Sequence, residues 1–109
     1  MGTGLEGLMT EWTEEEMQAF MLINRRRRQL HVHSVMYYFL NTSIVTDATF
    51  DKWAVELVEL NKQWPQFKYA GYQYNMFEDW TGDTGMHLKV TDEALAMADW
   101  LLERNEKPV

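Results

Sequence analysis

The chain has 109 residues, 46% hydrophobic and 14% aromatic, which is enough apolar mass for a modest core and too much for a disordered polar chain. Ten Lys and Arg against 17 Asp and Glu leave a formal charge of −7, which argues against the basic surface that non-specific nucleic-acid binding needs. Cysteine is absent, so disulfides, thiolate nucleophiles and thiolate metal sites are excluded, and no apolar run approaches the length that crosses a bilayer.

A single domain is expected over residues 1–109, with no linker or repeat to divide it. The opening "MGTGLEGLMT" has neither the basic region nor the apolar core of a signal peptide. Its three glycines predict a flexible lead over residues 1–12, and together with the missing cysteine they suit a cytoplasmic protein.

The first helix is expected over about 13–40. Thr13 and Glu16 have the spacing of a capping box, and the acids of the first turn suit the helix dipole. Met17, Phe20, Met21, Ile23, Leu30, Val35 and Tyr38 recur with a helical rhythm, and no Pro or Gly interrupts it before "NTS". Arg25, Arg26, Arg27 and Arg28 stand about 100° apart, so they point all round the helix. The run reads first as a solvated offset to the Glu-rich start; its functional alternative is that Arg26 and Arg27 reach an anion such as phosphate. His31 and His33, at i and i+2, lie on opposite sides and cannot share a metal, and no metal site is expected.

Thr46 caps a second helix, expected over 47–63, with Phe50, Trp53, Ala54, Leu57 and Leu60 on one face and Pro65 closing it. The connection is short, so the two helices should pack as an antiparallel hairpin. Residues 66–90 change character. Tyr72, Tyr74 and Met76, and then Met86, Leu88 and Val90, alternate around "TGDTG", which predicts either a short β-hairpin or an irregular aromatic segment. Thr91 caps a last helix over about 92–105 whose apolar face is Leu95, Ala98, Leu101 and Leu102. The fold class is therefore mainly α.

Asp47, Phe50 and Asp51 stand at i, i+3 and i+4 and share one face of the second helix's first turn. Tyr37 and Tyr38 close the first helix, and a hairpin brings the two ends together, with His33 one turn before Tyr37. Aromatic faces beside two carboxylates suit a flat cationic ring that bears hydroxyls. The plain alternative is a half-exposed tyrosine pair and acids placed by the helix dipole, which suffices for Asp47 by itself.

Residues 25–67, "RRRRQLHVHSVMYYFLNTSIVTDATFDKWAVELVELNKQWPQF", resemble the N-terminal Ia domain of bacterial NAD-dependent DNA ligases. That family shows a tyrosine pair or Tyr-His, a short turn and a Ser/Pro-Asp-x-x-Tyr-Asp helix start. The resemblance implies recognition of the nicotinamide mononucleotide (NMN) half of NAD, with Tyr37 stacking on the ring, Tyr38 beside it and Asp47 and Asp51 as the two acids. Phe50 stands where the family has Tyr, and Ser43 where it usually has Pro. A ligase also needs a nucleotidyltransferase domain with a Lys-x-Asp-Gly motif, and "KYAG" at Lys68–Gly71 lacks the Asp. The string "FEDWTGDTGMHL" is similar to short phage and prophage proteins that carry the ligase-like piece alone.

The expectation is therefore a stand-alone Ia-like module that binds NMN or NAD through His33, Tyr37, Tyr38, Asp47, Phe50 and Asp51, without ligase catalysis. The first alternative is a protein-interaction module on the same scaffold that has lost the nucleotide and addresses a host DNA-transaction protein. A nicotinamide glycohydrolase ranks last, because no nucleophile–base pair is evident.

Overall fold

The computed structural model describes residues 11–82 and 88–106. They form three α-helices, α1 (Glu14–Tyr38), α2 (Asp47–Gln63) and α3 (Asp92–Glu106), and a short 3-10 turn, Pro65–Phe67. Among the described residues there is no strand, so the stretch between α2 and α3 is the irregular aromatic segment as far as it is described. Most of the "TGDTG" loop lies outside the described residues. The flexible lead expected over 1–12 also lies outside them except for Glu11 and Trp12, and Trp12 packs between Phe20 and Phe67 with ring centroids 5.2 Å from each. No helix among the described residues is long and apolar enough to cross a membrane.

α1 is the central element. Its start is fixed by the full capping box: the Glu16 amide donates to Thr13 Oγ1 at 3.0 Å and the Thr13 amide to Glu16 Oε1 at 2.9 Å. One side of α1, with Ala19, Ile23 and Leu30, packs on Ala54, Leu57 and Leu60 of α2, and Phe67, Phe77, Trp80 and Leu88 close this core. A second side, with Val32, Val35 and Met36, packs on Ala94 and Ala98 of α3. Sealing Ile23, Leu30 and Leu57 fully from water stabilises the fold by about 1.5–3 kcal/mol each. The apolar rhythm marked more of α1 than is buried. Met17, Met21 and Tyr38 are 37%, 66% and 43% exposed, because the helix turns polar residues inward on a further side.

That side carries Asn24, Arg27 and His31, spaced three and four residues apart and so in line along the helix. Asn24 Nδ2 donates to the Phe20 carbonyl at 2.7 Å, while Asn24 Oδ1 accepts from the Tyr72 amide. Arg27 donates from Nη1 to the Ala70 carbonyl at 2.6 Å and from Nη2 to the Phe67 carbonyl at 3.1 Å. His31 bonds the Tyr72 hydroxyl at 2.9 Å and the Lys89 carbonyl at 2.6 Å. A carbonyl only accepts, so His31 Nε2 carries a proton, and in the neutral ring Nδ1 accepts the Tyr72 hydroxyl proton. A segment without regular structure must satisfy its backbone by turns and by side chains; local turns such as Ala70 N–H to the Phe67 carbonyl serve part of it, and α1 side chains take the Phe67, Ala70, Tyr72 and Lys89 backbone groups. Gly71 makes the approach possible: its φ of 91° belongs to the left-handed region, and a Cβ there would collide with Asn24 Oδ1.

The reversal between α1 and α2 is equally local. Asn41 adopts a φ of 55°, a conformation Asn tolerates better than most residues, and the Thr42 amide returns to the Met36 carbonyl at 3.2 Å. Ser43 ties the turn by donating to the Val45 carbonyl at 2.8 Å. The Thr46 hydroxyl then accepts the Thr49 amide at 3.1 Å and opens α2.

Candidate functional site

The α1–α2 corner encloses a cavity of about 260 Å³ that is partly open to solvent. α1 contributes His33, Ser34, Tyr37 and Tyr38, the turn Ser43, Val45 and Thr46, and α2 Asp47, Phe50 and Asp51. All six residues marked as cofactor-binding in the sequence thus line one cleft. The register explains this: residues 33, 34, 37 and 38 occupy two successive turns on one face of α1, and 47, 50 and 51 one face of α2's first turn. A second hollow adjoins it around Tyr37, Tyr38, Asn41, Thr42 and Ser43.

Tyr37 and Tyr38 are 53% and 43% exposed, and their rings meet edge to face, with centroids 4.8 Å apart and planes at 80°. This geometry braces one ring with the other and leaves ring face free. Asp47 and Asp51 are exposed at the rim, and Phe50 is half-buried against the main core. The floor is different. Ser34 is buried, and neither its Oγ nor the buried Nδ1 of His33 has a hydrogen-bond partner in the protein. The His33 imidazole lies against Trp53, centroids 5.3 Å apart, and burial holds its pKa below the ordinary value. A neutral imidazole is therefore favoured in the cleft.

Arg26 and Arg27, the residues for which anion binding was the functional alternative, do not line this cleft, and both make contacts within the fold. Arg26 Nε pairs with Glu56 Oε1 at 2.7 Å, and its Nη1 donates to Gln29 at the same distance. Arg27 is only 2% exposed, with its Nη groups on the Ala70 and Phe67 carbonyls. The four-arginine run is thus not uniformly solvated. Sequence reasoning also passed over Ser34, although its spacing of three and four residues before the tyrosine pair places it on their face.

The family model described as the DNA ligase-like, N-terminal NAD+-binding domain matches residues 16–71. That is more than half of the chain, and the chain belongs to this family. The match takes in α1 from its first turn, the corner, α2 and the segment clamped by Arg27, and so the whole cleft. A DNA ligase of Cytophaga hutchinsonii is 36% identical over 55 residues. That stretch is 50% of this chain and 8% of the ligase, so the chain corresponds to a small part of that protein. No solved structure matches the chain.

Proposed function

We propose that the cleft binds the nicotinamide mononucleotide moiety, either as NMN or as part of NAD. The observation that carries this reading is the convergence of two exposed tyrosine rings and two rim carboxylates on one open cavity, in a chain of the NAD+-binding ligase-domain family. The residues suit the ligand. A pyridinium ring is flat, cationic and apolar on its faces, and a tyrosine face attracts it through both dispersion and the ring quadrupole. Ribose hydroxyls are donors, and Asp47 and Asp51 supply acceptor oxygens that also balance the ring's charge. The partners missing from the Ser34 hydroxyl and His33 Nδ1 are a further sign of a ligand, since buried polar atoms are rarely left unpaired.

Phe50 supplies apolar wall and no hydroxyl. Against a tyrosine at that position it forgoes one hydrogen bond, worth about 1 kcal/mol. The module recognises its nucleotide through the nicotinamide half, and the adenylate half of NAD extends beyond the cleft. Within these 109 residues no Lys-x-Asp-Gly sequence occurs, so adenylyl transfer has no lysine of that motif here. Calorimetry with NMN, NAD and AMP tests the reading. Heat with NMN and NAD and none with AMP supports it; no heat with any of the three overturns it.

A further inference from the structure

Two polar atoms in the floor of the cleft have no work to do in the fold. Ser34 is 3% exposed and its Oγ has no partner; His33 Nδ1 is buried and equally unpartnered. A serine inside a helix commonly satisfies its hydroxyl on the carbonyl one turn back, but Ser34 does not. Both residues line the cavity. They lie one helical turn before Tyr37 and Tyr38, a step of about 5.4 Å along the axis. The exposed rings stand at the mouth and the buried pair at the bottom. A ring stacked on the tyrosines would therefore point a substituent, not its face, toward Ser34 and His33.

We infer that Ser34 and His33 read the carboxamide of the nicotinamide ring and set a preference for the amide over the corresponding carboxylate. The inference rests on the nucleotide-binding reading above and adds the specificity of that site. The chemistry matches atom for atom. A carboxamide offers one carbonyl acceptor and two N–H donors; a serine hydroxyl both donates and accepts, and a neutral imidazole nitrogen does either according to its tautomer. The amide thus satisfies both orphans in either tautomer. A carboxylate brings acceptors only and a negative charge. It enters a cleft whose rim already holds Asp47 and Asp51, and it pairs with Nδ1 only in the tautomer that carries the proton on that nitrogen. Burial disfavours a charged His33, so the imidazole offers that carboxylate no counter-charge. The contact with Trp53 fixes the imidazole plane, which makes the floor a preformed reader.

The test is calorimetry on the full chain with NMN and nicotinic acid mononucleotide, for the natural sequence and for Ser34→Ala. The natural chain should prefer NMN by about tenfold or more, and Ser34→Ala should weaken NMN about fivefold while narrowing that preference. A thermal melt without ligand accompanies it. Because Ser34 Oγ makes no bond in the fold, Ser34→Ala should melt no lower than the natural chain. Equal affinity for the two nucleotides, or an unchanged preference in Ser34→Ala, overturns the inference and leaves the nucleotide site standing. Failure of NMN to bind the natural chain removes both. If Ser34→Ala does not fold, the hydroxyl has a structural role and the inference is likewise overturned.

Discussion

Tyr37 and Tyr38 are neighbours in sequence whose rings stand at 80° to each other, 4.8 Å between centroids, at the exposed end of α1. Consecutive residues on a helix are about 100° apart, so two adjacent aromatics normally diverge. Here they touch, with both rings about half exposed where α1 ends. Each restrains the other, so less side-chain freedom is left to lose when a flat ligand docks.

The first prediction follows from that pair. Tyr37→Ala should weaken NMN binding by roughly 5- to 30-fold, the worth of one aromatic–cation contact, and Tyr37→Phe, which keeps the ring face and loses only the hydroxyl, should keep most of the affinity. Calorimetry reads both. Since Tyr37 is exposed, neither change should move the melting temperature by more than a degree or two.

Asp47 and Asp51 separate by the same measurement. Asp51→Asn and Asp47→Asn should each weaken NMN several-fold by removing an acceptor charge. Asp47→Asn should also cost the fold a few tenths of a kcal/mol, because Asp47 opens α2 at the positive end of its dipole. An affinity that ignores both substitutions would place the ligand elsewhere.

Arginines 26 and 27 make a contrasting pair. Arg27→Leu should destabilise the fold by about 2–4 kcal/mol in urea, since the Phe67 and Ala70 carbonyls lose their donors. Arg26→Leu should cost about 1 kcal/mol or less, because its pair with Glu56 is partly solvated. Comparable losses at both positions would contradict the clamp.

The pH dependence of stability reports on His33. Its folded pKa is depressed below 6.5 by burial, so the unfolded chain accepts a proton that the folded chain refuses. The contribution of this group is fully present above about pH 6.5 and is lost as pH falls toward the lower, folded value. Asp47, Asp51, Tyr37 and Tyr38 are the other ionisable groups lining the cleft. Urea melts between about pH 7.5 and pH 5 should therefore show a decline that His33→Gln reduces. A decline of the same size in the variant would assign it to other groups.

The helical hairpin was legible because its signals are local. The Thr13–Glu16 capping box, the Thr46 cap and the apolar repeat of α2 each act within a turn or two. The cleft was legible through register and through the resemblance, which together placed residues 37, 47 and 51 on facing turns. Arg27 was not legible: it is one of four identical neighbours, and only the carbonyls of a segment 40 or more residues away select it. Ser34 was hidden for a similar reason, since a lone serine gains meaning only from the cavity opposite. The segment after Pro65 shows an alternation at Tyr72, Tyr74 and Met76 that suits a strand as well as an irregular run, and the side chains that hold it, Asn24, Arg27 and His31, lie far off in sequence on α1.

The central claim is that one cleft at the α1–α2 corner takes the nicotinamide nucleotide, and backbone amide NMR shifts during a titration with NMN test it most directly. Saturable shifts are expected at residues 33–38 and 43–51, with those of α3 almost unmoved. Shifts confined to α3 or to the segment after Pro65, or none at millimolar NMN, would contradict it.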